Sequence, residues 1–410
     1  MTETGKPVIV LKFGGSSLKD RECIDKVLDI IVSRAEKGFS VVTVVSAQGK
    51  TTENLLAYVR DFAPNGNPRE TDMLLTTGER MSAAIVAMAL ETRGLPAVSL
   101  SGSQAGIITD NNHTNARIIE VRPSRVFSLL NEGRIVIVGG FQGVSFDKEI
   151  TTLGRGGSDT TAVALAAALN ADCEIFSDVD GVYSADPAVI PEAKKLDWLS
   201  YAVMQELSEA GAKVLHSRAV EFAKVRNIKI HCKSTFSPNE PGSVIAGFEM
   251  VGKIRKSAVA YEKNVTMIRV FDTSEGGEMI RDVLNFFREK GVAVKQISFS
   301  RDSNGRLYGS FILSRKENYA YDSFIAELSG RFTGSIEVFE ELSTVSVVGD
   351  GIMDKPDALL ETLDLMKKSQ IELFGFHTSS FRISLLVKLA DFEKSLKLLH
   401  ERFSVEDSAI

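Results

Sequence analysis

The feature that most limits the fold is a recurring rhythm in which an apolar, β-branched run stops at glycine or a small polar residue and a helical stretch follows. Pro7-Val-Ile-Val-Leu-Lys-Phe13 ends at Gly14-Gly-Ser-Ser17, before a helical pattern from about Asp20 to Lys37. Ser40–Ser46 ends at Ala47-Gln-Gly-Lys-Thr-Thr52 before a helical stretch over 53–61, and Arg134–Phe141 closes on Gly139-Gly140. Unbroken apolar runs are the mark of strands buried on both faces, and parallel neighbours need a crossover between them, usually a helix. Alternation of this kind over residues 1–242 predicts one large, doubly wound α/β domain with a mainly parallel sheet. The strand ends at Lys12, Ser46, Gly139–Gly140 and Asp178 would then converge on one edge, as a crevice for a phosphorylated ligand.

Within that frame, Thr151-Thr-Leu-Gly-Arg-Gly-Gly-Ser-Asp-Thr-Thr161 runs into the alanine-rich helix former 162–169. Ser158 and Asp159 stand where an N-cap belongs, so the helix is expected to begin there with its free N–H groups toward the loop. A helix N-terminus behind glycines attracts anions, and Arg155 adds a planar fork for carboxylate or phosphate. The plainer alternative is a solvated capping loop. Lys12, at the carboxyl end of the first strand, is either a phosphate ligand or a strand-end lysine reaching solvent. Glu79 falls near the start of an otherwise apolar helix, where an acid can serve the helix dipole. Tyr183, after the strand ending at Ser177-Asp178, is able to flank an adenine. There is no G-x-x-x-x-G-K-[ST], so the phosphate loop is not a P-loop.

The totals bound the rest. A chain of 410 residues exceeds one core. A net charge of −6 argues against a nucleic-acid surface, and no apolar run approaches the roughly 18 residues of a membrane span. Val8–Leu11 reads as a strand and not as a signal peptide. Cys23, Cys173 and Cys232 are odd in number and far apart, which suggests neither a disulfide framework nor a zinc site. A cytoplasmic protein is expected. After Pro238-Asn-Glu-Pro-Gly242 the pattern changes to β-α-β, then strand, then helix, and it is written twice. The repeat predicts two ferredoxin-like modules over 263–340 and 341–410, with 243–262 as linker.

These motifs together resemble the aspartate kinases of the amino-acid kinase superfamily. The resemblance rests on residues 12–17 (KFGGSS), 44–52 (VVSAQGKTT), 74–80 (LLTTGER), 139–143 (GGFQG), 152–161 (TLGRGGSDTT) and 177–187 (SDVDGVYSADP). The tandem repeat is similar to the paired ACT domains that give such enzymes feedback control. The resemblance implies transfer of phosphate from MgATP to the 4-carboxylate of L-aspartate, the entry to lysine, threonine and methionine, with Mg²⁺ held mainly by nucleotide phosphates. It also implies roles. Lys12, Asp159 and Arg155 would be catalytic. Ser46, Thr52, Glu79, Arg155 and Ser158 would hold aspartate, Glu79 taking its ammonium and Arg155 its α-carboxylate. Lys12, Phe13, Gly14, Gly15, Ser177, Asp178, Tyr183, Ser184, Asp186 and Lys213 would bind ATP. Ala188 stands where relatives commonly carry Arg, which puts one nucleotide contact in doubt.

An amino-acid effector is expected where the first repeat's strand enters its helix, at Gly276, Gly277, Glu278 and Met279 with Gln296 and Ser298, and a homodimer or higher oligomer through the ACT domains. The expected order of effectors is meso-diaminopimelate, lysine, threonine. Two other readings compete. One is a kinase of glutamate, N-acetylglutamate or a carbamate, which has no reason for two ACT repeats. The other is a silent amino-acid sensor, which has no need of Lys12, Arg155 and Asp159. An internal start near Met250, yielding a separate regulatory chain, is left open.

Overall fold

The computed structural model describes residues 5–63, 66–247, 257–272, 274, 276–303, 305–316, 318 and 321–404. Two compact units divide the chain, one of Met1–Tyr183, Lys194–Ser208 and Lys213–Lys253, the other of Ser184–Ala193, Glu209–Ala212 and Ile254–Ile410. Secondary structure in the first unit opens with β1 (Val8–Phe13), α1 (Arg21–Glu36), β2 (Ser40–Val45), α2 (Thr51–Phe62) and α3 (Pro68–Thr92). It continues through β3 (Ala97–Leu100), β4 (Ile107–Thr109), β5 (Ile118–Val121), α4 (Ser124–Asn131), β6 (Ile135–Gly139), β7 (Gln142–Ser145) and β8 (Ile150–Thr152). Then come α5 (Gly157–Leu169), β9 (Asp172–Ser177), β10 (Val182–Tyr183), β11 (Lys195–Leu196) and β12 (Trp198–Ser200). The last elements are α6 (Tyr201–Glu209), α7 (Ser217–Arg226), β13 (Ile230–Ser234) and β14 (Ser243–Ala246).

The main sheet has the order β12-β14-β13-β9-β1-β2-β6-β3, and every neighbouring pair is parallel except β13 with β14. Every residue of β1 and β2 is buried, as their unbroken apolar sequences require. On one face, Val27, Ile31, Val86 and Leu90 pack from α1 and α3 against Leu11, Val45 and Ile137. On β1, β2 and β9 lies α5, whose alanines let it approach closely. A smaller sheet, β5-β4-β7-β8, is built of strands only three or four residues long, and its β7–β8 hairpin turns at Asp147-Lys148, as the sequence there suggests. The crossovers leave β9, β1, β2 and β6 side by side and pointing the same way, so their carboxyl ends share one edge.

Two helix starts differ from the sequence reading. Pro68 sits at the first position of α3 behind Asn67, whose side chain accepts from the Arg69 amide at 2.9 Å. Proline is favoured there because its missing N–H is one the helix would leave unsatisfied anyway. The polar residues 69–72 are thus the first turn, and Glu79 lies in mid-helix, away from the dipole's end. Likewise α5 begins at Gly157, with Gly156 at the N-cap in a left-handed conformation (φ +68°), so Ser158 and Asp159 belong to the first turn and not to the cap. By length and composition α3 also passes as a membrane span, though no uninterrupted apolar run is present. Half of its most apolar window is buried, and so are its Asp72 and Glu79.

The second unit contains β15 (Ser257–Asp272), α8 (Glu278–Glu289), β16 (Val294–Arg301), β17 (Leu307–Ser314) and α9 (Tyr321–Arg331). It ends with β18 (Ile336–Gly349), α10 (Asp357–Lys368), β19 (Leu373–Ser379), β20 (Arg382–Lys388) and α11 (Phe392–Phe403). One antiparallel sheet, β16-β17-β15-β18-β20-β19, carries both βαββαβ halves. They share the two long strands, whose register shifts around Lys263 and Val265. The second half takes its remaining strand from Ser257–Lys263, paired with Ser343–Gly349. Much of the expected linker 243–262 is therefore strand, in β14 and in β15. Residues 248–256 of it, with Met250, lie outside the described residues. Helices α8 and α9 cover Ile268, Val270, Phe311 and Leu313, and α10 and α11 cover Val345, Val347, Ile383 and Leu385. Residues of opposite parity, Met267, Ile312, Leu342 and Leu386, form a separate cluster with Phe339 and Phe374 on the helix-free face.

Candidate active site

The carboxyl ends of β1, β2 and β6 meet the N-terminus of α5, and Lys12 is the charge at that meeting point. It is 9% exposed, and its Nζ lies 2.6 Å from Asp159 Oδ1 in the first turn of α5, also 9% exposed. A lysine this buried survives only with an anionic partner, which removes the solvent reading. The neighbouring glycines are there for space. A Cβ on Gly15 would stand 2.7 Å from the Ala47 carbonyl, and one on Gly140 would stand 2.9 Å from Ser158 and from Val44. Their absence lets the Gly14–Ser17 turn, the 46–49 loop and the start of α5 close together. The Gly49 amide donates to Gly15 O at 3.0 Å, the Ser46 amide to Phe13 O at 3.1 Å, and the Gly140 amide to Val45 O at 3.0 Å.

Glu79 approaches the same edge from α3. It is 3% exposed, one oxygen accepts from the Ala47 amide at 3.1 Å, and the other is buried with no hydrogen-bond partner. Burial, only partly offset by backbone N–H donors, pushes its carboxyl up to about 7. A buried, half-satisfied carboxylate is costly unless something cationic completes it. Thr52 lies in the first turn of α2, and Thr51 Oγ1 donates to Gln48 O at 2.6 Å, which shapes the loop after Ser46. Arg155 is exposed on the loop leading into α5, between Gly154 (φ +72°) and Gly156. The structure thus brings Lys12, Asp159, Ser46, Glu79 and Ser158 to one edge, with Arg155 at its rim.

The expected nucleotide residues separate into two groups. Ser177 ends β9 and Asp178 follows it, and Phe13 stacks on Phe176 with ring centroids 5.0 Å apart. Tyr183 donates to Asp180 at 2.6 Å, a bond that with burial raises its phenol to about 12, and Asp180 pairs with Lys195 at 3.0 Å. Lys213 is exposed beyond α6. Ser184 and Asp186 have their contacts in the second unit. The Val259 amide donates to Ser184 O at 2.7 Å, Ser184 Oγ meets His400 Nε2 at 3.0 Å, and Tyr261 donates to Asp186 at 3.0 Å.

The expected effector residues are not brought together. Gly277 caps α8 in a left-handed conformation (φ +75°), but amides of the first turn behind it are taken. Asp272 accepts from the Ile280 amide at 3.1 Å, and Ser274 Oγ accepts from the Glu278 amide at 2.9 Å. Burial pushes the Asp272 carboxyl up, yet donation from Ser274, Ile280 and Met279 outweighs it and holds it below its ordinary value. The chain's own carboxylate occupies the place expected for an effector's. Gln296 and Ser298 instead line a cavity of about 190 Å³ on the helix-free face, with Arg269, Phe374 and His377.

Sequence reasoning missed several residues that hold the Arg155 loop. Asp72, Asn115, His216 and Arg218 are among them, and the only signal available was a charged residue inside a helix longer than the one expected.

Comparison with known proteins gives a consistent answer. Residues 7–234 match the model of the amino acid kinase family. An aspartokinase from Mycolicibacterium smegmatis is 40% identical over 98% of this chain and 98% of its own. One from Corynebacterium glutamicum is also 40% identical, with the same coverage of both chains. The fold matches that of E. coli aspartokinase III in complex with aspartate and ADP, with a TM-score of 0.81 and 24% identity over 96% of this chain and 99% of that one. This chain belongs to the aspartokinase family, the ATP-dependent kinases of aspartate within the amino acid kinases.

Proposed function

We propose that the chain transfers the γ-phosphoryl group of MgATP to the 4-carboxylate of L-aspartate, giving 4-phospho-L-aspartate and ADP, with Lys12 as the principal electrostatic catalyst. The observation that carries the reading is the buried Lys12–Asp159 pair beside the half-satisfied Glu79. The acceptor carboxylate is already ionised, so no general base is needed, and positioning with charge neutralisation supplies the catalysis. Lys12 neutralises charge on the transferring group, and the Gly14–Gly15 backbone beside it cradles that group. Glu79 takes the substrate ammonium and Arg155 clamps its α-carboxylate, while Ser46, Thr52 and Ser158 complete the aspartate site. Ser177, Asp178, Tyr183 and Lys213 serve the nucleotide. Mg²⁺ enters with the nucleotide, held chiefly by its phosphate oxygens.

For regulation we infer an amino-acid effector, meso-diaminopimelate before lysine before threonine, contacting Gln296 and Ser298, and a homodimer through the second unit. The cytoplasm is the proposed compartment. The test is kinetic. Lys12→Ala should lower kcat about 10²–10³-fold with little change in the KM for aspartate, while ADP release by the parent protein should need L-aspartate and not L-glutamate. A near-normal kcat in that variant would remove Lys12 from the mechanism.

A further inference from the structure

We propose that Asp72, acting through His113, Thr114 and Thr152, is a positioning residue that fixes the Arg155 loop in the geometry that receives aspartate. The proposal deepens the reading of Arg155 given above and rests on it. Asp72 lies on α3 seven residues before Glu79, two helical turns away and on the same face. Its side chain is fully buried. One oxygen accepts from Thr152 Oγ1 at 2.5 Å, the other lies 2.7 Å from His113 Nδ1, and both lie 3.1 Å from the Thr114 amide. With Asp72 as a carboxylate, which only accepts, His113 is the donor when its ring holds the proton on Nδ1. Thr114 has φ +66°, a left-handed backbone that a β-branched residue adopts only when its surroundings dictate it.

From Asp72 the restraint passes in short steps to Arg155. The Ala116 amide donates to Thr152 O at 2.8 Å, so the 113–116 loop holds the end of β8 from two sides. Arg218 donates to Leu153 O at 3.2 Å and to Asn115 Oδ1 at 2.9 Å, tying the same two segments together once more. Gly154 fits against Asn115, whose Oδ1 would stand 3.0 Å from a Cβ there. Arg155 is the next residue. The same rigid helix therefore holds Glu79 directly and the Arg155 loop through Asp72, and so sets the separation between the groups assigned to the two ends of one small substrate.

A structural staple would lower stability and affect both substrates alike, whereas a positioning residue acts on one. Thr152→Val and His113→Ala each remove one donor and leave Asp72 in place. Each should raise the KM for aspartate about ten-fold or more, with kcat and the KM for ATP within about two-fold of the parent, and Thr152→Ser should restore it. In an Arg155→Ala background, Thr152→Val should add nothing further. If Arg155→Ala itself leaves the KM for aspartate unchanged, the reading of Arg155 fails and takes the proposal with it. If Arg155→Ala raises it while both other variants leave it unchanged, positioning alone is wrong. Additive effects in the double variant, or equal rises in both KM values, would also overturn it. Should Thr152→Val not fold, His113→Ala and its double with Arg155→Ala decide the matter, because His113 is partly exposed.

Discussion

At the scale of single residues, Glu79 makes the sharpest claim. Its carboxyl is raised to about 7, so the folded protein binds its proton more tightly than the unfolded chain, where a glutamate titrates near 4.5. Stability is therefore lost as pH rises from about 4.5 to about 7 and stays reduced above that, by the order of 3 kcal/mol. Glu79→Gln should accordingly melt higher than the parent at pH 8, with the gap closing below pH 4.5, in thermal scans across that range. The same variant should bind aspartate more weakly, because the ionised form is the one that faces an ammonium group. In the parent, the affinity for aspartate should fall as pH drops through about 7. A pH-independent affinity measured by calorimetry would mean that Glu79 does not meet the ammonium.

At the scale of elements, the loop ahead of α5 depends on Gly156. Its left-handed backbone disfavours any other residue, and a Cβ would lie 2.4 Å from His216. Gly38 is a fair control, also left-handed (φ +87°) but with nothing within 4 Å of a Cβ. Gly156→Ala should cost about 1–3 kcal/mol more than Gly38→Ala in urea denaturation, the excess being overpacking. Equal costs would show that His216 moves aside freely. This element also shows where sequence reasoning stops. Glycines in a loop before an alanine-rich run point to an anion site, yet the run of residues cannot say that Gly156 is the cap, or that His216, some sixty residues on, packs where its Cβ would stand. Similarly, the sequence puts the start of α3 near Glu79 and leaves Asp72 ahead of it. Asp72 joins a helix because its partners at 113, 114 and 152 satisfy it in the interior. Strands β1 and β2 were legible because they are buried on both faces, and such sequences have few other uses.

For the whole molecule, the sequence pattern showed an α/β region followed by a duplicated βαββαβ region, and both are present. What the pattern could not show is that the order of residues along the chain differs from their membership of the two units. The core of the second unit includes Ala185 and Ile190, packed with Val347, Leu385 and Leu396, and Val259 is hydrogen-bonded to Ser184. A polypeptide beginning after residue 256 would fold without them. We expect 257–410, expressed alone, to be less stable by about 2–4 kcal/mol than 257–410 supplemented with a saturating peptide spanning 184–193, the scale of losing a large buried aliphatic side chain. Thermal melts with and without the peptide decide this, and no response would make the segment dispensable. If the peptide does stabilise the fragment, a gene cannot be split cleanly between these two units. Truncation, domain exchange or a second translational start would each leave one product with a hole that only the other fills, so the pair would be inherited and engineered as a single piece.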